Sequence, residues 1–473
     1  MKKHVLSPYF RTIEDKSSGK TMIFHSLFGN PRIINEEGMR FLNLFRQPVI
    51  LHEALSACDD DAQNVVKEFT EFFFIVEANM DERKILQEKK SQHLQKVCTG
   101  KVVDRMGLAI SNACNLSCDQ CIHFQSTGVS QELLNMNWGT AKRCIDYYIS
   151  LMRKNESSVC KIHFGNAEPL INWPVIERIL LYCAEIKDLT FDFAINTNLM
   201  LMTKEIAQIL KKHRVSIATS LDGILKANDA IRTTKSGNGT FKQIVEKFDL
   251  LDDIGYPLDG FSVTVTDKNY NLVGTDIIDL AAKRGMTSIS FDYDLVGIIN
   301  IPSEMRADKI MLLKRYANER NIDFFGTWDS VFRNLTSESL LLDAYAFCAA
   351  VEGRSLEFDV NGEIKVCGHT TTQIGHITQT DKIFERSGGL SDLVKKRFPG
   401  NDGYCFGCII EGPCGGQCQV TREMASRSNS KQQEKLFDDM CDFYRSITEA
   451  LAIDYMRQNY NKTSGTDLMP ERR

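Results

Sequence analysis

Between about residues 105 and 300 the sequence alternates short β-rich runs with segments whose apolar residues recur at helical spacing, and this restricts the chain to parallel β/α architectures. Six runs can be read, MGLAIS, CKIHFG, FDFAIN, VSIATSL, GFSVTV and SISFDY, separated by segments such as WGTAKRCIDYYISLM and WPVIERILLYCAEI. Six β/α units predict an α/β fold built on an open, partial (β/α)6 barrel. In such barrels chemistry sits at the carboxyl ends of the strands. Each of the first four runs is followed by a polar loop, so the functional residues are expected there.

The flanks read differently. Residues 1–90 predict a small α+β unit, with strands around YFRTIED and TMIFHSLF, helices from EEGMRFLNLF and through AQNVVKEFTEFFF, and a final extended IVEAN. A charged, apolar-poor stretch follows, and a linker or exposed helix is expected over 91–104. After the barrel, 301–345 reads as a helical bridge. Residues 346–445 are rich in Cys and Gly with few long apolar runs, a composition that relies on metal rather than on a large core. A C-terminal helix and tail occupy 446–473, and the tail after about 460 reads as disordered.

Lys and Arg number 57 against 62 Asp and Glu, a net charge of −5, which provides no global field for nucleic acid or an anionic membrane. No run reaches the ~18 apolar residues that span a bilayer, and the first residues lack the apolar core of a signal peptide. A cytoplasmic protein is expected. Fifteen cysteines in that compartment point to metal ligation rather than to disulfides. Five of them, Cys58, Cys98, Cys144, Cys160 and Cys183, are scattered and read as small buried hydrophobes.

The other ten are grouped. SNACNLSCDQC, directly after the first predicted strand, supplies Cys114, Cys118 and Cys121 in the spacing C-x3-C-x2-C. Three thiols can hold a [4Fe–4S] cubane and leave its fourth iron open. Zinc is the alternative, with His123 as the fourth ligand. Further landmarks follow in order: FGNAEPL at 164–170, TNLMLMT at 197–203, SLDG at 220–223, Arg232 and GNGTF at 237–241.

Together these residues resemble the radical S-adenosylmethionine (SAM) superfamily, whose signature cysteines follow the first strand of a partial TIM-like barrel. The resemblance implies that Cys114, Cys118 and Cys121 hold a cluster whose open iron chelates SAM. It further implies that one-electron cleavage yields a 5′-deoxyadenosyl radical. By motif position Glu168 is the candidate for the SAM amino group, and Asn198, Ser220 and Arg232 for the ribose or carboxylate. Two motifs depart from the pattern: Asn166 and Ala167 stand where a Gly pair is commoner, and Gln120 where an aromatic residue is frequent.

Seven cysteines lie in the C-terminal region: Cys348 and Cys367 framing Gly362, then Cys405, Cys408, Cys414 and Cys418 as C-x2-C-x5-C-x3-C, then Cys441. Seven thiols exceed one tetrahedral zinc site. The arrangement resembles SPASM domains of radical SAM enzymes that modify peptides and proteins. That resemblance implies two auxiliary [4Fe–4S] clusters, one on Cys405, Cys408, Cys414 and Cys441, the other on Cys348, Cys367 and Cys418. The latter set is one ligand short. A substrate thiolate, Cys98, another protein group or water are the alternatives for the fourth position.

The N-terminal unit resembles the winged-helix, PqqD-like elements that bind leader peptides, onto whose strand edge a peptide can add. The implied function is a peptide maturase installing a crosslink in a ribosomally made precursor peptide, with a Cys-to-carbon thioether as the leading product. Carbon–carbon or carbon–oxygen crosslinking, single-residue oxidation as in sulfatase-maturing enzymes, and a non-enzymatic iron–sulfur protein are the alternatives. The implied partners are a leader-bearing precursor peptide and an external electron donor such as flavodoxin or ferredoxin, without nucleic acid or membrane.

Overall fold

The computed structural model describes residues 2–55, 60–127, 133–337, 346–401, 403–427 and 431–459. Cys58 and the tail after about 460 lie outside the described residues.

All six expected runs form strands: Arg105–Leu108, Val159–Phe164, Thr190–Asn196, Ser216–Ala218, Gly260–Val265 and Ser288–Tyr293. The first four pair in parallel, as do the last two. A parallel bridge between Ser220 and Ser262 joins the two groups. Two short strands extend this array beyond the expected six. Asp323–Phe325 pairs in parallel with Ser288–Tyr293, inside the stretch expected to be a helical bridge. Ser355–Phe358, from the cysteine-rich region, pairs in parallel with the first barrel strand. Strands of three and four residues are too short to show a period in the sequence. A hairpin then leads through Gly362 (φ 91°) to Glu363–Lys365, and Gly375–His376 completes that edge. The C-terminal region is thus continuous with the barrel sheet.

Side-chain alternation separates an outer from an inner barrel surface. Cys160, Ile162 and Phe164 are buried, as are Phe261, Val263, Val265, Ile289, Phe291 and Tyr293. These apolar alternates belong to the main core, together with Ile145, Tyr148, Ile176, Ile179, Ile244 and Ile277 of the surrounding helices. The opposite alternates line the lumen. They are polar: Lys161 and His163, Ser262 and Thr264, Ser290 and Asp292. An ordinary closed barrel fills this space with layers of branched apolar side chains. This one lines it with polar groups instead.

The N-terminal unit contains two three-stranded sheets, one of Val49–Ile50, Lys3–Leu6 and Ile75–Glu77, the other of Phe10–Asp15, Lys20–His25 and Gly29–Ile34. Ile23, Leu42, Phe45, Val66, Phe69, Phe74 and Ile75 form its own core. Helix Glu82–Val97 leads out of it and runs through position 91, where the linker was expected to begin. Its buried Leu86, Lys90 and Val97 make it a packed strut. The C-terminal helix is also longer than expected, spanning Lys431–Gln458 and thus beginning before 446. Its Ala452 and Met456 pack on Ile13, Met22 and Phe24 of the N-terminal unit, and Arg457 pairs with Asp15 at 2.9 Å.

Candidate active site

The three-cysteine loop leaves the carboxyl end of the first barrel strand and is tied down by groups from later strands. The Leu116 N–H donates to Cys114 Sγ at 3.5 Å, and the Cys121 N–H to the Cys118 carbonyl at 3.2 Å. Asn198 Nδ2 lies 3.7 Å from Cys114 Sγ, and Arg232 Nη1 lies 3.7 Å from Cys118 Sγ. Each of Cys114 and Cys118 feels the charge of Cys121, so the three thiols face a common space. Burial pushes the Cys118 thiol up to about 12, and that of Cys114 upward too. Such thiols ionise when a cation replaces their protons.

Among the described residues no three His, Cys, Asp or Glu side chains close on a single metal ion. A cubane spreads its thiolates over different irons, so its ligand sulfurs stand farther apart than those around one ion. The all-thiol donor set and its cationic neighbour Arg232 therefore fit a cluster better than the zinc alternative. His123 is buried and faces the cavity described below.

Glu168 is fully buried at the start of a short 3-10 turn, Pro169–Asn172. Its carboxylate accepts from the Leu170 N–H at 3.0 Å, Thr197 Oγ1 at 2.7 Å and the Asn198 N–H at 2.8 Å. Burial raises its pKa against those donors. Glu168 thus fixes the Thr197–Asn198 turn, which presents Asn198 to Asn115 Oδ1 at 2.8 Å. Ser220 sits at the seam between the two strand groups, paired with Ser262.

Asp222, which sequence reading left without a role, organises this side of the loop. Its carboxylate accepts from Arg232 Nε at 2.9 Å, Gln120 Nε2 at 2.6 Å and the Thr264 N–H at 2.8 Å. Gln120 thus replaces an aromatic contact by a hydrogen bond to the anchor of Arg232. Burial of Arg232 opposes its charge, but Asp222 and Cys118 outweigh that cost and hold it firmly protonated. Asn166, the other departure, adopts a left-handed backbone (φ 76°), and a Cβ on Gly368 would lie 1.9 Å from its Oδ1. It therefore touches the chain beside Cys367, linking the glycine-motif loop to the C-terminal cysteines.

A cavity of about 280 Å³ opens at this junction, lined by His123, Asn166, Glu357, Asp359, Lys365 and Gly368. Glu357 and His163 flank Gly107 in register on adjacent strands. Only glycine fits there, because a Cβ at 107 would stand 1.8 Å from the Glu357 carboxylate. Ser355 Oγ donates to Glu357 at 3.3 Å, and burial pushes that carboxyl up to about 7. Asp292, on the sixth strand, accepts from the N–H and Oγ1 of Thr327, each at 2.6 Å, and burial likewise raises it to about 7. Burial lowers the pKa of His163 and takes that of His369 down to about 4. Asp292 escaped sequence reading because it is a single acid in a run read for its apolar period, and Glu357 because its four-residue strand shows no period.

In the C-terminal region the thiols fall into two neighbourhoods. Cys367 feels Cys418 and Cys348, and Cys418 feels Cys348. Cys441 feels Cys414, Cys405 and Cys408. Cys98 ends the helix Glu82–Val97, and Cys144, Cys160 and Cys183 are buried in the barrel core.

Residues 108–281 match the family model described as the Radical SAM superfamily. That barrel stretch is a radical SAM domain. This radical SAM enzyme is similar to the radical SAM cyclopropyl synthase TigE of Paramaledivibacter caminithermalis, with 24% identity over 94% of this chain and 95% of that protein. It is also 31% identical to an uncharacterized protein of Methanocaldococcus jannaschii, over 39% of this chain and 60% of the other. Among solved structures, native anSMEcpe with bound AdoMet superposes with a TM-score of 0.55 at 16% identity, covering 73% of this chain and 99% of that one. Streptococcus suis SuiB bound to precursor peptide SuiA gives 0.53 at 17% identity, covering 90% and 97%. The enzyme shares their fold, including a SPASM-like cysteine-rich C-terminal region. The architecture is that of a SAM- and [4Fe–4S]-dependent enzyme. Among the described residues no helix is long and apolar enough to cross a membrane.

Proposed function

We propose that this enzyme is a peptide maturase that forms a carbon–carbon bond within a ribosomally synthesised precursor peptide. The observation that carries the reading is the likeness to a cyclopropyl synthase over nearly the whole of both chains, N-terminal unit and C-terminal cysteines included. Joining two carbons of a peptide removes one hydrogen from each. Cys114, Cys118 and Cys121 would hold a cluster that, with SAM, supplies the radical taking the first hydrogen as an atom; the second leaves as a proton and one electron, which an auxiliary cluster would accept.

The chain's own residues do the rest of the positioning. Glu168 and Asp222 lock Asn198 and Arg232 against the thiols that they approach at 3.7 Å. The polar lumen admits a peptide side chain from the cavity side. Glu357 and Asp292, poised near neutrality, are the carboxylates able to take the proton released as the bond closes. The seven C-terminal cysteines hold two auxiliary clusters in the grouping of their thiols, and a flavodoxin- or ferredoxin-type donor supplies the initiating electron. The N-terminal unit holds the leader, which makes the encounter of core peptide and lumen intramolecular.

A thioether is the second reading, favoured by the exposure of Cys348 in the set that is one ligand short. The reconstituted full chain, SAM, a reductant and the precursor peptide distinguish the two. Carbon–carbon closure yields a product lighter by two hydrogens with every peptide thiol still open to alkylation. Loss of one alkylatable thiol per turnover overturns the carbon–carbon reading, and absence of 5′-deoxyadenosine under reducing conditions overturns both.

A further inference from the structure

Between the two C-terminal thiol neighbourhoods lie two buried polar side chains that the reading so far does not use. Gln417 is fully buried and holds a left-handed backbone (φ 57°) between Cys414 and Cys418. Its N–H donates to Cys414 Sγ at 3.2 Å, and its Nε2 to Cys441 Sγ at 3.1 Å and the Phe437 carbonyl at 3.0 Å. One residue thus donates to two thiols of the same neighbourhood. Arg397 is 6% exposed. It donates to the carbonyls of Gly416, at 3.0 Å, and of Gln417, and its Nε has no hydrogen-bond partner among the described residues.

The charges acting most strongly on Arg397 are Arg422 and then the thiols of Cys414, Cys418 and Cys348, with no carboxylate among them. A guanidinium buried beside a second cation and without a carboxylate is costly. Carbonyl dipoles offset part of that cost. Anionic thiolate-bound clusters on either side would offset the rest, because Cys414 belongs to one neighbourhood and Cys348 and Cys418 to the other.

We propose that Arg397 and Gln417 form a polar bridge that sets the reduction potentials of both auxiliary clusters. Gln417 raises the potential of the cluster on Cys405, Cys408, Cys414 and Cys441 through N–H to sulfur hydrogen bonds. Arg397 raises both through its charge. Donors and cations near cluster sulfurs stabilise the reduced, more negative state. Both are positioning residues, since neither is placed to touch substrate.

The inference rests on the two-cluster assignment, and iron content separates the two failures. The full chain with Cys114, Cys118 and Cys121 replaced by Ala isolates the auxiliary signals. After anaerobic reconstitution it should bind about four irons per auxiliary cluster. Half that iron overturns the assignment itself.

With both clusters present, redox titration followed by electron paramagnetic resonance reads the bridge. Arg397→Met should lower both midpoints by about tenfold in the reduction equilibrium, or about 59 mV for a one-electron couple. Arg397→Lys should restore them. Gln417→Met should lower one midpoint and leave the other near its starting value. Gln417→Leu, which also removes the side-chain donor without adding charge, repeats that test if the Met variant loses iron. Unshifted midpoints in Arg397→Met, or equal shifts of both signals in the Gln417 variants, overturn the bridge.

Discussion

The three-cysteine loop and the seven-cysteine region present their thiols by opposite strategies. The loop is a small polar excursion on a large apolar core, and its thiols are fixed by side chains from other barrel loops, Asn198, Asp222 and Arg232. The C-terminal region presents its thiols on short turns, one-turn helices and glycines in left-handed conformation, such as Gly407, Gly415 and Gly416. A barrel preorganises its ligands whether or not metal is bound. A region without such a scaffold draws part of its folding energy from the metal. The first strategy suits a site that must hold its geometry while one position stays open to a small ligand.

The comparison can be broken most directly at the loop. Replacing Cys114, Cys118 and Cys121 by Ala should abolish 5′-deoxyadenosine formation while the melting temperature stays close to that of the unmodified apo-protein. A large fall in melting temperature would show that the loop carries fold as well as chemistry. The mirror experiment replaces Cys405, Cys408, Cys414 and Cys441. It should cost several kcal/mol of stability in the metal-loaded protein, comparable to the loss of a structural metal, and open 403–418 to limited proteolysis.

A smaller effect tests how the C-terminal region borrows rigidity from the N-terminal unit. Glu411, fully buried between Cys408 and Cys414, takes a bidentate pair from Arg83 at 3.0 and 3.1 Å, and the Gly412 N–H donates to the Ser26 carbonyl at 2.8 Å. Arg83→Ala should cost about 2 kcal/mol in urea unfolding, the scale of a lost hydrogen bond to a buried charge. It should also weaken iron retention by the C-terminal cysteines without altering the loop.

The smallest effect is one of pH. Burial lifts Glu357 and Asp292 from their ordinary values of 4.5 and 3.8 to about 7. The folded protein therefore binds protons that the unfolded chain has released. Their contribution to stability is complete below about pH 4 and is lost as the pH rises through about 7. Thermal melts at pH 6 and 8 should fall less in Glu357→Gln than in the unmodified chain. An unchanged difference would mean that Glu357 is ionised and solvated in the lumen.

Much of the barrel was legible because its six main strands and the helices between them repeat strong local periods. The grouped cysteines were legible because thiol spacing is a chemical constraint that needs no three-dimensional context. What escaped depends on register. Asp222 matters because Arg232, Gln120 and the Thr264 N–H converge on it from two loops and a strand. Glu357 matters because Gly107 lies beside it on a strand some 250 residues earlier in the chain. No local pattern encodes such a meeting. Of the two readings of the charged stretch, linker or exposed helix, helix Glu82–Val97 realises the second, and its packing was hidden because only a thin stripe of it is buried.

That distant pairing of Arg105–Leu108 with Ser355–Phe358 also dictates an order of events during synthesis. When the barrel strands leave the ribosome, the first of them carries an unpaired edge, and it stays so until the C-terminal region has been made. Unpaired edges recruit foreign strands. The segment that closes this edge lies between Cys348 and Cys367, so completion of the sheet coincides with synthesis of the C-terminal cysteines. A chain truncated before residue 355 would therefore present both an open sheet edge and an incomplete set of thiols.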